Sequence, residues 1–484
     1  MVINKIERSL STIILFTCMV VPHFCLAETS PVEKIIKRSG LLGATDGNSF
    51  GMALVDLETK QTKEEYQGQT PLPWASVCKM LSLYYSLSIL GPKSTFQTEL
   101  LTTSEGDLIL KGGGDPSLNT DGLINMAFTL KSKGISKITG HFFYDESGFT
   151  NQTEISHFGQ GDDDYDQSLG ALNVYFNRLQ LIRTSEGGFR PIPPLPNFRM
   201  NLDAENLFPP GQRFKFLDNN DKLEDWLYSN RKSYSHPIEI PVKNPNRATA
   251  EVFADLLRAM GIQVPAPELL PAPKSGKSLV IHNSIPTFEL ARSAIEYSNN
   301  LFTEAMMVKA ARQATERPLN ITESADAMLT WLKANAKNVP WGDIKMINAS
   351  GLTADNRFGA RTLAEWLANV YLTQLDKGSE GPHYYWALMP MAGENSGMRE
   401  RWNHPKLVHR LWAKTGTLDF VQAIAGIFVA RSGKLYSFSL TASNLVERAR
   451  LDKGESIPQG KVEKFRKKAK QLFMDVVQDW YERY

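Results

Sequence analysis

The alternation of apolar and polar positions divides the first third of the chain into a helix, a strand pair and a second helix. Residues 76–90 are rich in Leu, Met and Tyr and precede Gly91-Pro92, which predicts a buried helix that ends there. The segment 95–109 alternates as strands do, and a Gly-rich loop follows it. Residues 123–133 are amphipathic and predict a helix, and 138–144 predict a strand.

The middle of the chain has a different composition. Residues 191–245 are rich in Pro, Asn and charge and predict a small loop-rich subdomain. A helix is expected over 248–260, closed by Gly261, and the Pro/Ala/Lys-rich segment 265–277 is interpreted as a linker. The pattern over 286–311 is helical with a break inside it.

The last third of the chain predicts a strand pair and a terminal helix. The pair covers 414–429 and 435–442, with a turn at 431–434. The helix covers 462–481, with apolar residues along one face and lysines opposite. We expect this helix to pack on the sheet. The alternative is that its basic face binds a membrane.

The first 27 residues have the pattern of a secretory signal peptide. Lys5 and Arg8 precede an apolar run, and Cys25-Leu26-Ala27 offers small residues for cleavage. We therefore expect a periplasmic protein, with a retained anchor as the alternative. Removal of this segment leaves Cys78 as the single cysteine, so no internal disulfide is expected, and Cys78 is interpreted as buried packing.

Composition indicates a globular chain of more than one domain. The sequence has 484 residues, 42% of them hydrophobic, and its formal net charge is +2. It has no basic stripe with interleaved aromatics, so no nucleic-acid partner is expected.

Three short motifs stand in a fixed order along the chain. They are Ser76-Val77-Cys78-Lys79, Ser298-Asn299-Asn300 and Lys414-Thr415-Gly416. This S-x-x-K, S-x-N and K-T-G set is carried by penicillin-binding proteins and serine β-lactamases. S-x-x-K recurs at Ser229–Lys232 and S-x-N at Ser117–Asn119, and both are interpreted as chance matches.

The residue types of these motifs suit acyl transfer. Ser76 and Lys79 lie one helical turn apart, and a buried lysine with a lowered pKa can take the serine proton. Lys414, Thr415 and Gly416 would hold a substrate carboxylate along a strand edge.

The remaining groups of the expected site surround the reacting bond. The backbone N–H groups of Ser76 and Thr417 are the candidates for an oxyanion hole. Ser298 would relay a proton to the leaving amine, and Asn300 would hold the substrate amide.

Further blocks of sequence extend the resemblance over nearly the whole chain beyond its first segment. The chain resembles the D-alanyl-D-alanine carboxypeptidase/endopeptidases among the low-molecular-mass class C penicillin-binding proteins. Ser298 follows Ser76 by 222 positions, and such a large insertion is the family's hallmark. The blocks are Leu110–Leu118, Tyr144–Phe149, Ala349–Leu352 and Ala413–Leu418.

The resemblance implies an α/β fold, in which a penicillin-recognising, serine transpeptidase-like domain (an antiparallel sheet with helices) is split by a large β-rich two-domain insertion. After the signal peptide at 1–27, the implied division is 28–97 for the first part of the transpeptidase-like domain, 98–179 for the first part of inserted domain II, 180–240 for inserted domain III, 241–281 for the rest of domain II, and 282–484 for the rest of the transpeptidase-like domain.

The resemblance also implies a substrate and a chemistry. Peptidoglycan stem peptides would be cut at D-Ala-D-Ala ends, at D-Ala-diaminopimelate cross-links or at both, through an acyl-enzyme, with β-lactams as inhibitors and with no metal or cofactor. Ser76, Lys79, Ser298 and Asn300 would be catalytic. Lys414, Thr415, Gly416 and Thr417 would bind substrate.

The sequence departs from the family at residues that relatives use to bind the diaminopimelate side chain of the substrate. In D-G-S-G-L-S-R, here Asn348–Ala354, the arginine that relatives use toward diaminopimelate is Ala354. Asp419 replaces a frequent Gln after K-T-G-T-L, whereas Asp145 matches a carboxylate that relatives turn toward the same side chain. Loss of a cation and gain of a carboxylate favour an amine over an anion. Arg357 is the alternative source of the cation.

Two rival functions share the motifs. A β-lactamase or esterase would require fast deacylation, and the sequence has no evident deacylating Glu motif. A non-catalytic peptidoglycan-binding or regulatory protein would retain the fold without forming an acyl-enzyme. This alternative is motivated by the altered block Asn348–Ala354 and by Gly393–Arg401, which keeps only the ends of the family block G-x-D-G-T-L-x-x-R. The sequence leaves open whether the protein associates weakly with membrane or as a homo-oligomer.

Overall fold

A computed structural model describes residues 30–43, 47–156, 164–186, 188–203, 208, 214–217, 224–229, 238–272, 274–376 and 384–484. The predicted signal peptide at 1–27 and Lys232 of the second S-x-x-K lie outside these residues.

Helices and strands alternate along the described chain. The helices are α1 (Pro31–Ser39), α2 (Lys79–Leu90), α3 (Thr120–Ser132), α4 (Pro245–Ala259), α5 (Thr287–Glu296), α6 (Asn300–Thr315), α7 (Ile321–Asn335), α8 (Ala360–Asp376), α9 (Tyr384–Ala387), α10 (Ser396–Arg401), α11 (Leu445–Asp452) and α12 (Gln459–Arg483). The strands are β1 (Asn48–Asp56), β2 (Thr62–Tyr66), β3 (Leu72–Pro73), β4 (Gln97–Thr102), β5 (Leu108–Gly112), β6 (Phe142–Asp145), β7 (Arg178–Arg183), β8 (Phe189–Ile192), β9 (Phe198–Leu202), β10 (Phe214–Leu217), β11 (Glu224–Tyr228), β12 (Ile238–Pro241), β13 (Pro267–Leu269), β14 (Lys277–Asn283), β15 (Arg357–Phe358), β16 (Leu411–Leu418), β17 (Val421–Val429) and β18 (Leu435–Asn444).

One antiparallel sheet combines the two ends of the chain. Its strand order is β16-β17-β18-β1-β2, so β16 lies at the sheet edge. Strands β17 and β18 are buried on both faces because helices cover each side. An edge strand with one unpaired side is open to pairing with an extended peptide.

The core lies in two layers on the two faces of this sheet. On one face α2, α6, α7 and α8 pack around Trp74, Met306 and Trp366. On the other face α1 and α12 pack around Phe50, Phe438 and Trp480. Burial of large apolar side chains on both faces is the main stabilising contribution, and it fixes β16 and α2 relative to each other.

A second five-stranded sheet lies between α2 and α5 in chain order. Its strand order is β13-β6-β5-β4-β14, and it packs with α3 and α4 around a separate core. Two three-stranded sheets, β10-β11-β9 and β12-β7-β8, accompany it. This mixed architecture confirms the predicted α/β fold with an antiparallel sheet between helices. The division into domains stays a prediction.

Two local predictions were wrong. The strand expected over 414–429 is two strands, because Asp419 and Phe420 form a tight turn in which Phe420 has φ +60°. The expected linker 265–277 contains β13, which pairs in parallel with β6. The helix break predicted within 286–311 is confirmed by the separation of α5 from α6.

The terminal helix α12 packs its apolar face on the first sheet, as predicted. Val462, Phe465, Val476 and Trp480 are all buried against that sheet. Within the described part of the chain, no helix is both long enough and apolar enough to cross a bilayer.

Candidate active site

The three motifs meet where α2, α6 and β16 converge. Ser76 lies in a 3-10 turn, Ala75–Cys78, that leads into α2. Ser298 lies in the break between α5 and α6, and Lys414 lies on the edge strand β16. Residues far apart in sequence are therefore brought to one end of the sheet.

Two non-glycine residues beside the motifs have left-handed backbone conformations. Ala75, which precedes Ser76, has φ +46°, and Ser298 has φ +58°. Such conformations cost about 1–3 kcal/mol each and persist where packing enforces them. Both positions set the direction of a motif serine.

The Lys79 amine is buried and has three hydrogen-bond partners. Its Nζ lies 3.1 Å from Ser76 Oγ, 2.7 Å from Asn300 Oδ1 and 2.8 Å from the Ser350 carbonyl oxygen. Lys79 is fully buried, whereas Ser76 is half-buried and Asn300 is partly exposed. The arrangement leaves the serine accessible and keeps the amine out of water.

Burial and neighbouring charge both disfavour the protonated form of Lys79. Desolvation lowers its pKa well below the ordinary lysine value, and the nearby Lys414 lowers the pKa further. Glu304 acts in the opposite direction and raises the pKa of Lys79. The net direction is downward, as a general base at neutral pH requires.

Glu304 is a residue of this site that the sequence analysis missed. It lies on α6 one turn after Asn300, and its carboxylate is fully buried. The Ala349 and Ser350 N–H groups donate to it, at 3.0 and 2.7 Å. Burial raises the pKa of Glu304 while these hydrogen bonds lower it. Glu304 thereby holds the segment whose Ser350 carbonyl accepts from Lys79.

Lys414 faces the second motif serine. Its Nζ donates to Ser298 Oγ at 3.1 Å, and its side chain is buried. Burial, followed by the charge of Arg401, lowers the pKa of Lys414 to about 7. Thr415 is half-buried and Thr417 is exposed, so the strand edge beside Lys414 is accessible.

Two glycines let the backbone approach the turn that carries Ser76. A Cβ at Gly416 would lie 2.5 Å from the Trp74 carbonyl oxygen and 3.1 Å from Ser76 N. At Gly351, which has φ +76°, a Cβ would lie 1.8 Å from the Ala75 carbonyl oxygen. Real Cβ atoms do not approach this closely, so glycine is required for β16 and the 350–352 segment to contact this turn.

Asn300 is held by the protein at both ends of its amide. Its Oδ1 accepts from Lys79, and its Nδ2 donates to the Tyr165 carbonyl oxygen at 2.9 Å. Its position orients the lysine and ties α6 to the segment that follows residue 163. The expected contact of Asn300 with substrate stays a prediction.

Asp145 and Asp419 lie apart from the hydrogen-bond network of Ser76 and Lys79. Asp145 ends β6, is buried, and accepts from Ser147 N at 2.9 Å. Asp419 lies in the turn after β16, 3.3 Å from Arg466 Nη2. Within the described residues, no hydrogen bond links either carboxylate to the serine and lysine, and their expected substrate roles stay predictions.

A cavity of about 750 Å³ adjoins the segment 350–357. Ala354, Asp355 and Arg357 line it. Arg357 Nε donates to the Ala354 carbonyl oxygen at 2.8 Å, and its Nη2 lies 3.3 Å from Asp355. The cation nearest in sequence to Ala354 is therefore engaged by a carboxylate.

The other sequence features have structural explanations. Asn119 of the second S-x-N caps α3, since its Oδ1 accepts from Gly122 N at 3.0 Å. Ser229 of the second S-x-x-K is buried after β11. Cys78 is buried, and burial raises its pKa to about 12, which suits packing and not thiolate chemistry. Among the residues that the structure describes, His, Cys, Asp and Glu form no group of three or more that could hold a metal ion.

Comparison with known proteins adds a family and a fold. The model of the D-Ala-D-Ala carboxypeptidase 3 (S13) family matches residues 32–185 and 229–460, more than half of the chain.

Curated relatives extend over most of the chain. The D-alanyl-D-alanine carboxypeptidase DacB of Haemophilus influenzae is 23% identical over 481 residues, which cover 90% of this chain and 92% of that protein. The D-alanyl-D-alanine carboxypeptidase of Actinomadura sp. strain R39 is 24% identical over 438 residues, with 82% and 78% covered.

A solved structure has the same fold. Penicillin-binding protein 4 of Haemophilus influenzae superposes with a TM-score of 0.77 at 20% identity, covering 94% of this chain and 100% of that one. A second structure of that protein, complexed with a β-lactam, superposes with a TM-score of 0.70 at 19% identity, covering 93% and 99%.

Proposed function

This chain belongs to the D-Ala-D-Ala carboxypeptidase 3 (S13) family, and from that premise we propose that it cleaves D-Ala-D-Ala peptides through an acyl-enzyme on Ser76. Ser76 Oγ attacks the carbonyl carbon of the penultimate D-alanine, and the peptide C–N bond breaks as D-alanine leaves. Water then attacks the ester and releases the shortened peptide. Peptidoglycan stem peptides are the substrate class, and cross-links in which D-Ala acylates diaminopimelate present the same bond.

The observation that carries this proposal is the set of three partners around Lys79 Nζ. A neutral amine has two N–H donors and one lone pair. Asn300 Oδ1 and the Ser350 carbonyl are acceptors, so they take the two N–H groups. The lone pair then faces the Ser76 hydroxyl at 3.1 Å, as removal of its proton requires.

The other motif residues act on the substrate once Ser76 attacks. We propose that the N–H groups of Ser76 and Thr417 bind the developing oxyanion, which the close approach permitted by Gly416 supports. Ser298, hydrogen-bonded to Lys414, passes a proton to the leaving amine. Lys414 and Thr415 hold the substrate carboxylate at the edge of β16.

The same site would react with β-lactams. These compounds present a strained amide and a carboxylate in the places of the peptide bond and the terminal carboxylate. A relative with this fold has been solved with a β-lactam bound. We therefore propose that penicillins acylate Ser76. Since peptidoglycan lies outside the cytoplasmic membrane, the protein acts there, and the periplasm is the proposed compartment.

Release of D-alanine from a soluble peptide tests the proposal. The purified protein is incubated with diacetyl-L-Lys-D-Ala-D-Ala, and free D-alanine is measured beside a Ser76→Ala variant. Wild-type protein should release D-alanine, and the variant should lose at least about a thousandfold in rate. Equal release by both would exclude Ser76 as the nucleophile.

The side chain of the residue before D-Ala-D-Ala can be varied in the same assay. Ala354 carries no charge, and Arg357, the cation that follows it in the lining of the adjoining cavity, pairs with Asp355. We propose that peptides ending this side chain in an amine or amide are preferred over those with the free carboxylate of diaminopimelate. Equal turnover of the two peptides would count against this preference.

A further inference from the structure

Two pairs of residues between β6 and β7 contact the partners of the buried lysine. The pairs are Ile155-Ser156 and Tyr165-Asp166. The second pair contacts Asn300, one acceptor of Lys79, and the first pair contacts the segment that contains the other acceptor, Ser350. None of the four residues belongs to the three motifs.

Tyr165 determines which end of the Asn300 amide faces the lysine. A side-chain amide can turn over, which exchanges its oxygen and its nitrogen. The Tyr165 carbonyl oxygen can only accept, and it lies 2.9 Å from Asn300 Nδ2. The amide oxygen is therefore directed to Lys79 Nζ, 2.7 Å away. A reversed amide would present a donor to Lys79 and would remove one of the two acceptors that direct its lone pair.

Ser156 holds the segment that supplies the other acceptor. Its Oγ donates to the Leu352 carbonyl oxygen at 2.5 Å. Leu352 lies two residues after Ser350, whose carbonyl oxygen accepts from Lys79 at 2.8 Å. Gly351, between them, is in close contact with the turn that carries the proposed nucleophile. A shift of this segment would therefore displace an acceptor of the lysine and disturb that turn.

Asp166 connects these two contacts. Its Oδ1 accepts from Ile155 N at 2.8 Å and from Ser156 N at 3.0 Å, and Tyr165 is its neighbour in the chain. Asp166 is only 2% exposed. Burial raises the pKa of Asp166 to about 7, whereas the Ser156 N–H lowers it. Because burial of a carboxylate is costly, its two backbone donors are important for keeping it at this place.

We propose that Asp166 is a positioning residue for the acylation of Ser76. It fixes the Ile155–Ser156 backbone and, through the chain, the Tyr165 carbonyl, and these two contacts hold both acceptors of Lys79. The inference rests on the proposed peptidase function and adds to it a residue outside the three motifs that aligns the base.

The rate of acylation by benzylpenicillin measures this role, since the proposed mechanism uses the same base. The second-order rate constant is compared for the wild type, Asp166→Ala, Asp166→Asn and Ser156→Ala. Asparagine retains an Oδ1 that can accept from both N–H groups, whereas alanine retains no acceptor. Asp107→Ala is the matched control, because Asp107 is also buried and accepts a backbone N–H, that of His141 at 2.8 Å, beside the second five-stranded sheet.

Asp166→Ala should lower the acylation rate constant about ten- to a hundredfold, the effect of losing hydrogen bonds to a charged group. Ser156→Ala, which loses one neutral hydrogen bond, should lower it about five- to tenfold. Asp166→Asn and Asp107→Ala should react at nearly the wild-type rate. With a D-Ala-D-Ala peptide, Asp166→Ala should lower kcat and leave KM nearly unchanged, because the groups proposed to hold the substrate carboxylate are retained.

Melting temperatures separate positioning from folding. Asp166→Ala and Asp107→Ala should both melt at a lower temperature than the wild type, but only Asp166→Ala should acylate slowly where both are folded. An unchanged rate in Asp166→Ala, an equal loss in Asp107→Ala, or an equal loss in Asp166→Asn would overturn the role. If Asp166→Ala does not fold, an unchanged rate in Ser156→Ala would overturn it. A wild-type protein that is not acylated would instead refute the proposed function.

Discussion

At the residue scale, the central feature is a lysine whose surroundings suit a neutral amine. Lys79 sits among two acceptors and one hydroxyl, and burial together with Lys414 lowers its pKa. The S-x-x-K spacing predicted that Ser76 and Lys79 would share a helix face. The spacing could not predict the Ser350 carbonyl, because that partner comes from a segment 271 residues away.

Glu304 shows what motif reading misses. Its carboxylate takes no part in the three motifs, and along the sequence it is the single acidic residue of α6. Its importance becomes visible when its two backbone donors and its burial are known. The available signal was an acidic residue four positions after the S-x-N asparagine. Its burial could not be read from composition.

Glu304→Gln should change the pH dependence of the reaction. The substitution removes a negative charge that raises the pKa of Lys79. The pKa of Lys79 therefore falls further in the variant. In the proposed mechanism, activity requires neutral Lys79 and is lost as pH falls through this pKa, so the acidic limb of the kcat/KM profile should move to lower pH. Loss of one acceptor for the Ala349 and Ser350 N–H groups should also lower kcat by about tenfold.

An exposed carboxylate gives the matched comparison. Glu463→Gln on α12 makes the same chemical change at an exposed position outside the three motifs, and its pH profile should equal that of the wild type. If Glu304→Gln leaves the pH profile unshifted and lowers only the thermal stability, the role of Glu304 is purely structural.

At the element scale, the site depends on how closely β16 approaches the turn that carries Ser76. Gly416 permits that approach, since any side chain there would meet the Trp74 carbonyl. The K-T-G motif predicted a strand edge for substrate. Its glycine also serves the contact between two elements, which the sequence does not reveal.

Gly416→Ala should impair acylation without unfolding the protein. The added Cβ would lie 2.5 Å from the Trp74 oxygen, so β16 must shift and the N–H groups proposed for the oxyanion hole, those of Ser76 and Thr417, must move relative to each other. Loss of one oxyanion donor costs about a hundredfold or more in kcat. Gly460→Ala, where a Cβ meets nothing within 4 Å, is the control and should retain full rate. Wild-type kinetics for Gly416→Ala would refute the close-approach argument.

Strand boundaries were the least predictable elements. The turn at Asp419-Phe420 has no Gly, Asn or Pro and only Asp419 as a turn signal, and Phe420 has φ +60°, a conformation that a phenylalanine does not predict. Strand β13 has three residues in a Pro-rich segment, too few for a periodicity. Long helices with a clear apolar face, such as α4 and α12, were predicted within a few residues.

At the scale of the whole molecule, the site forms because the ends of the chain share one sheet. Strand β1 pairs with β18, and β16 extends that sheet toward α2. The order and spacing of the three motifs were enough to predict this convergence by resemblance to a family.

The central claim is that Ser76 forms an acyl-enzyme, and intact-mass spectrometry with benzylpenicillin tests it most directly. Wild-type protein should gain the mass of one penicillin, and the Ser76→Ala variant, folded to the same melting temperature, should gain none. A folded wild-type protein that gains no mass, or a variant that gains as much as the wild type, would contradict the account.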